Sequence, residues 1–531
     1  MSLYRRETTQ IYLYAVLNGL VNLSLPLGIQ AVFNLLLGGT LSTSLLVLVG
    51  FVLFGIVVTG LLQILQLRIV ENVQQNIFTR SAFEFSYRIP RIDTSQFDSI
   101  HAPELVNRFF DTLTIQKGIP KILIDFSLAS FQVVFGLILL SIYSAYFIIL
   151  GGVLILLLYI IFAITGPRGL QTSLKESKHK YRLAHWLEEV ARTSRSFKLS
   201  ADTTLHIDKT DAIATDYLKA REKHFRVLLA QFQYFIGFKV FVAAGLLVLG
   251  SILVFNEQMN LGQFVASEII IILIINSVEK LITSIDTIYD VLTALEKIGY
   301  VTDLELDDDS TAAITPERGG MRVEALDLTF GYPDMQRKLI KELSFEVAAG
   351  GRVVVQGPSG SGKSTLLYLM SGLRHLEDGE LLYNDIPIQN IRKTDLHQQI
   401  GVFLPVNQLF EGTFYENITL GRDISDTEVF EVLSKLFLTQ YIAKEPKGIH
   451  TIIDPEGKRL PRSVIQRLLL ARAIVHKPCL LLLEDPLASI EAEYKRRIID
   501  YLTQPEHCWT IIVIADYSYW VERSDQVIHL S

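Results

Sequence analysis

From Thr8 to Leu67 the chain reads TTQIYLYAVLNGLVNLSLPLGIQAVFNLLLGGTLSTSLLVLVGFVLFGIVVTGLLQILQL, and no residue in it carries a charge. A helix needs only about 20 residues to cross a bilayer, so a run of this length must fold back on itself. Gly38 to Thr43 is the expected turn. A second uncharged run stretches from Phe126 to Pro167, with a more polar break at Ser141 to Ser144. A third apolar run, from Val227 to about Val278, breaks at Asn256 to Asn260. Six spans in three hairpins are predicted. The alternative, buried core helices of a large soluble protein, fits poorly with three runs of this length.

The remaining composition agrees. Half of the 531 residues are apolar and the mean hydropathy is +0.33, which excludes an ordinary soluble enzyme. A net charge of -7, from 49 basic and 56 acidic residues, gives no general electrostatic footprint for nucleic acid. Cys479 and Cys508 cannot make a disulfide framework and fit a reducing compartment. No cleavable signal peptide is expected, because the first apolar stretch is too long and is followed at once by another.

Two long hydrophilic stretches, Arg68 to Asp125 and Arg168 to Arg226, separate the hairpins, whose short turns contain Glu257 as their only charge. Basic residues stay on the cytoplasmic side of short loops, so both termini and both long stretches are placed inside. The spacing of Leu187, Val190, Ala191 and Ser194 is helical, so the spans are expected to continue beyond the membrane as helical extensions. Lys239 and Glu268 are ionisable residues within the third hairpin. Lys239 lies near its edge, where it can snorkel to the headgroups. Glu268 lies deeper, facing either a central aqueous cavity or a structural partner.

After Lys297 the acidic stretch Asp303 to Ser310 lacks periodicity and reads as a linker. Short β-type runs then alternate with helical ones: Val353 to Val355 before a glycine loop, Leu480 to Leu483, and Ile511 to Ile514. The division expected is a transmembrane domain over 1–302, a linker over 303–320 and a nucleotide-binding domain over 321–531. Gly357-Pro358-Ser359-Gly360-Ser361-Gly362-Lys363-Ser364-Thr365 follows a strand and opens a helix, as a phosphate-binding loop must. Its glycines let backbone N–H groups curl around phosphates, Lys363 reaches the β- and γ-phosphates, and Ser364 ligates Mg²⁺. The fold class is therefore an all-α six-span membrane domain followed by an α/β P-loop domain.

With six spans ahead of such a domain, the chain resembles an ATP-binding cassette exporter half-transporter over essentially its whole length. Leu25 to Val32 and Gly262 to Glu268 look most like the type I secretion and bacteriocin-exporter branch. Many members of that branch carry an N-terminal cysteine peptidase domain; this chain starts at its first span, and leader processing by such a domain is not expected. The resemblance implies that Tyr332 stacks on adenine, and that the glutamine sensing the γ-phosphate is replaced by Pro405, with Gln408 nearby. It places the signature that binds the opposite subunit's γ-phosphate on Leu460-Pro461-Arg462-Ser463-Val464, anchored by Gln466 to Ala473 just after it. Arg462 and Ser463 stand where the family has close-approaching small residues, and Arg462 could offer a charge to the γ-phosphate. Glu484 and Asp485 stand where the family has Asp then Glu. Glu484 can still approach Mg²⁺. Asp485, a doubtful base, falls short by about 1 Å, a displacement that can cost roughly a hundredfold. Asp516 occupies the histidine position and would repel a phosphate.

The resemblance further implies ATP and Mg²⁺ as cofactors, slow or absent hydrolysis, and a second half-transporter as partner, in a homodimer or a heterodimer. It implies a lipid bilayer as surroundings, a membrane-fusion adaptor as a further partner, and the bacterial inner membrane as location. Segments Ile92 to Asp98 and Lys198 to Asp202 match the family's coupling helices. The cargo expected is a peptide, a protein or an amphipathic molecule. The rival readings are a nucleotide-responsive regulatory or scaffold subunit beside a competent partner, and a channel or lipid-redistributing protein on the same scaffold.

Overall fold

The computed structural model describes residues 5–37, 43–98, 100, 102–200, 202–307, 320–332 and 337–530. They fall into two compact units: Met1–Pro90 with Ile100–Leu304, and Arg91–Ser99 with Glu305–Ser531.

The first unit is a helix bundle: α1 (Arg5–Asn22), α2 (Ser24–Leu37), α3 (Thr43–Arg88), α4 (Ala102–Phe109), α5 (Asp111–Lys121), α6 (Ser127–Tyr143), α7 (Ala145–Arg192), α8 (Ser194–Leu199), α9 (Leu205–Phe255) and α10 (Leu261–Thr302). Six stretches of it are long and apolar enough to cross a membrane: Arg5–Leu36, Thr43–Arg91, Pro103–Tyr143, Ala145–Arg192, Leu205–Phe255 and Leu261–Thr302. The expected first turn lies at 38–42, outside the described residues, and Thr43 opens α3. The other two turns fall where expected. Ser144 is the N-cap of α7, and Asn260 forms a reciprocal capping box with Gln263 at the start of α10. Helices α3, α7, α9 and α10 all run on past the apolar runs, as their periodicity requires. Two breaks have local causes. Pro26 sits in the first turn of α2, where a missing N–H costs nothing, and Pro120 precedes a π-helical turn at Ile122–Phe126 between α5 and α6.

Small residues and hydrogen bonds hold the bundle together. A Cβ on Gly136 would stand 2.9 Å from Cγ1 of Ile274, so α6 and α10 touch there with no room to spare. Gln231 of α9 donates to Thr165 of α7 and to the Tyr289 hydroxyl of α10, each at 2.9 Å, and is buried. Glu268 is half-buried on α10 and Lys239 is exposed on α9.

The second unit contains β1 (Val323–Phe330), β2 (Ile340–Val347), β3 (Arg352–Gln356), β4 (Asp378–Tyr383), β5 (Ile386–Pro387), β6 (Ile400–Phe403), β7 (Gly412–Thr413), β8 (Ile452–Ile453), β9 (Leu480–Glu484), β10 (Thr510–Ile514) and β11 (Gln526–His529). Its helices are α11 (Lys363–Met370), α12 (Lys393–Gln399), α13 (Phe414–Thr419), α14 (Asp426–Lys435), α15 (Thr439–Ile442), α16 (Arg462–Ile474), α17 (Ala492–Leu502) and α18 (Ser518–Glu522). One sheet is parallel, in the order β11-β3-β10-β9-β6, and another is antiparallel, in the order β2-β1-β4-β5. The parallel strands are apolar on both faces. Leu481, Leu483, Ile511 and Val513 face one core with α16 and α17, whereas Leu480, Leu482, Ile512 and Ile514 face another with α11 and the antiparallel sheet.

Glu305–Asp307, expected as part of the linker, are held in place. Ile92 forms an antiparallel bridge with Leu306, and Asp93 N–H donates to the Glu305 carbonyl at 3.0 Å. Backbone pairing to a distant segment leaves no periodic trace, which is why this contact was illegible along the chain. Residues 308–319 lie outside the described ones.

Candidate nucleotide-binding site

Four parallel strands end on one edge of their sheet, and each delivers part of the site. β3 runs into the glycine loop, β6 into Leu404 and Pro405, β9 ends in Glu484 before Asp485, and β10 leads through Ala515 to Asp516. In open α/β sheets, ligands bind beyond such carboxyl ends. The register brings the pieces level: Ile514 is paired with Val355 on one side and with Glu484 on the other. Asp485 N–H donates to the Ile514 carbonyl at 2.8 Å. Asp485 also has φ 43°, a left-handed conformation that strains a residue with a side chain.

The loop Gly357, Pro358, Ser359, Gly360, Ser361 and Gly362 turns onto the N-terminus of α11. Gly360 (φ 82°) and Gly362 (φ 90°) take conformations that other residues rarely adopt. Lys363 Nζ donates to the carbonyls of Gly357 at 2.6 Å and Pro358 at 2.9 Å, so the ammonium lies over the loop. Ser364 Oγ donates to Glu484 Oε1 at 2.6 Å, which joins the two residues expected at a metal. Ser361 Oγ and Glu484 Oε2 are buried without a hydrogen-bond partner. An orphaned hydroxyl in a phosphate loop, and an orphaned carboxylate oxygen beside a serine hydroxyl, fit a polyphosphate carrying a divalent cation.

Electrostatics on the acidic side run the other way. Burial raises the Glu484 pKa and the charge of Asp485 adds to the rise; the bonds and charge of Ser364 and Lys363 pull it back only in part. Asp485 is exposed by area, yet its surroundings desolvate it enough to raise its pKa, and the charge of Asp516 raises it further. Two carboxylates, Asp485 and Asp516, thus lie near enough for their charges to repel.

Tyr332 is half-buried, with its hydroxyl 3.3 Å from Thr365 Oγ1, and the Arg374 guanidinium lies 5.3 Å from its ring centroid. Arg374 went unnoticed in the sequence. It forms a two-bond ion pair with Asp98, while His375 meets Asp93 at 2.5 Å and Lys393 reaches both Asp93 (3.5 Å) and Asp307 (2.7 Å). Burial acts to raise the Asp93 pKa, but hydrogen bonds from Ser95 and His375 and the charge of Lys393 outweigh it, holding the carboxyl well below the usual range. Asp93 and Asp98 are acids in that segment, but nothing along the chain names their partners. In the second coupling segment Leu199 is 85 % exposed at the end of α8, and Ala201 lies outside the described residues.

The remaining expected residues stand apart. Pro405 and Gln408 are exposed, and the Gln408 carbonyl accepts from Arg472 at 3.0 Å. Arg462 and Ser463 open α16 behind Pro461, and among the described residues no hydrogen bond or ion pair joins them to the glycine loop.

A family model described as the ABC transporter transmembrane region matches residues 10–278, and one described as ABC transporter matches 340–488. An uncharacterized ABC transporter ATP-binding protein, YfiB of Bacillus subtilis, is 29% identical over 44% of this chain and 41% of its own length. An ATP-dependent lipid A-core flippase of Pseudoalteromonas atlantica is 26% identical over 58% of this chain and 53% of its own. The chain thus spans about half the length of the curated relatives it matches. Among solved structures, a bacterial Atm1-family ABC exporter with ATP bound superposes with TM-score 0.87 at 20% identity, covering 100% of this chain and 94% of that one.

Proposed function

The chain belongs to the ABC transporter family and has the fold of an exporter half, and from that premise we propose that ATP binding, with slow or absent hydrolysis, drives its export of a peptide or protein cargo. Nucleotide binding follows from the family of the second unit, and residence in a membrane from the six apolar helices of the first. Beyond this, the reading is of two paired chains in a bacterial inner membrane, both termini cytoplasmic. The likeness of Leu25 to Val32 and Gly262 to Glu268 to the type I secretion branch supports the cargo class and a membrane-fusion adaptor.

The observation that carries slow hydrolysis is the pairing of Asp485 with Asp516. Phosphoryl transfer depends on positive potential and a placed water near the γ-phosphate. A carboxylate at Asp516 works against the first, and the short reach of Asp485 against the second. In this reading Lys363 and the loop N–H groups hold the β- and γ-phosphates, Ser364 and Glu484 hold Mg²⁺, and Tyr332 takes the base. Mg²⁺, when bound, supplies charge neutralisation between the phosphates. Arg462 and Ser463 would meet the nucleotide on the other chain, where a charged guanidinium favours a closed pair over fast turnover.

The test is ATP turnover by the purified chain in lipid nanodiscs beside Lys363→Ala, with nucleotide binding recorded on the same samples. Binding that depends on Lys363, with turnover no higher than that of the variant, is expected. Brisk turnover lost in Lys363→Ala would overturn the reading. Turnover that appears only when a second, catalytically complete cassette protein is added would favour the regulatory subunit instead.

A further inference from the structure

We propose that α7 and α9 form a binding site for the phosphate of an anionic lipid, at the headgroups of the leaflet that borders the two long loops. Between these helices lies a cavity of about 260 Å³. Thr172, Lys175 and His179 of α7 and Asp216, Lys219, Ala220 and Lys223 of α9 line it.

Its lining is basic in excess, with three lysines against one acid. Three acids near it are engaged by arginines: Glu176 by Arg221 at 3.1 Å, Asp216 by Arg182 at 3.7 Å, and Glu222 by Arg226 at 2.9 Å. Lys175, Lys219 and Lys223 have no ion pair among the described residues, and all three are exposed. His179 Nδ1 is buried without a hydrogen-bond partner. Three free ammonium groups lining one cavity ask for an anion with several acceptor oxygens.

Depth selects the source of that anion. The apolar run of α9 begins at Val227, so Lys223 lies about 6 Å outside it and Lys219 about 12 Å, at 1.5 Å per residue. On α7, Thr172 and Lys175 lie about 8 and 12 Å beyond Pro167 by the same rise. The headgroup layer extends roughly 5–8 Å beyond the hydrocarbon, and a lysine stem bridges several ångströms more. Thr172 and Lys223 are therefore level with lipid phosphates, Lys175 and Lys219 reach toward them with their stems, and His179, about 18 Å beyond Pro167, lies at the outer end of the cavity. Basic pockets between membrane helices at this height take anionic headgroups, and each lysine near the surface contributes modestly and in a salt-dependent way.

The test titrates the purified full chain, in neutral detergent, with dioctanoyl phosphatidylglycerol, dioctanoyl phosphatidylcholine or inorganic phosphate, reading the melting temperature. Phosphatidylglycerol should raise it saturably, phosphatidylcholine and phosphate should not, and apparent affinity should fall about fivefold for each of Lys175, Lys219 and Lys223 changed to Gln. The triple arginine variant keeps the charge and should keep the shift, separating charge from folding. Lys280→Gln, about 3 Å beyond Val278 on α10 and outside the cavity, should bind as the parent does. An equal shift with phosphatidylcholine, an undiminished shift in the single Lys219→Gln and Lys223→Gln variants, or the whole effect reproduced by inorganic phosphate would overturn the assignment.

Discussion

Asp485 concentrates the chemistry of the second unit in one side chain. It sits in a left-handed backbone conformation, and burial and the neighbouring Asp516 both raise its pKa. The sign of the pH effect follows. As pH falls, Asp485 takes up its proton above the ordinary carboxylate range, the negative charge disappears, and repulsion of a polyphosphate is relieved; as pH rises, the repulsion returns. ATP affinity should therefore rise more steeply on acidification in the parent than in Asp485→Asn, by about tenfold for each pKa unit of coupling between the carboxylate and the phosphate. Equilibrium binding between pH 5 and 8 checks this, and parallel slopes for the two proteins would show that Asp485 does not face the phosphates. Changing Asp485 to Glu together with Asp516 to His should raise turnover by at least about a hundredfold, the cost ascribed to a displacement of 1 Å.

Among the elements, contact between helices depends on glycines that periodicity does not single out. Gly136 of α6 and Gly152 of α7 look alike in the sequence, yet a Cβ on the first meets Ile274 and a Cβ on the second meets nothing within 4 Å. Gly136→Val should destabilise the bundle by about 1–3 kcal/mol through overpacking, and Gly152→Val should be close to neutral. Melting in detergent distinguishes them, and equal losses would mean that α6 and α10 do not pack as described. The hydrogen-bonded node of Thr165, Gln231 and Tyr289 ties α7, α9 and α10 in the same way, through residues 66 and 58 positions apart in the chain.

At the scale of the whole molecule, the chain is threaded so that the nine residues from Arg91 to Ser99 leave the bundle between α3 and α4 and belong to the second unit. The side chains of Arg374, His375 and Lys393 and the backbone of Glu305 to Asp307 hold them there. Arg374→Ala combined with Lys393→Ala should raise hydrogen exchange across 91–98 without changing that of α6 or α10. Exchange unchanged in the segment would mean that the backbone bridge at Ile92 suffices.

Spans, extensions, strand types and the phosphate loop were all legible from the chain, because each is a property of neighbours: transfer free energy adds up residue by residue, helical and strand periods repeat over a few positions, and the loop from Gly357 to Thr365 is contiguous. Other features wait on the tertiary structure. Asp485 meets Asp516, Asp98 meets Arg374, and Lys175 shares a cavity with Lys223 only once strands and helices distant in the chain are brought together. Coulomb energy and hydrogen bonding depend on separations of a few ångströms, and packing alone sets those separations.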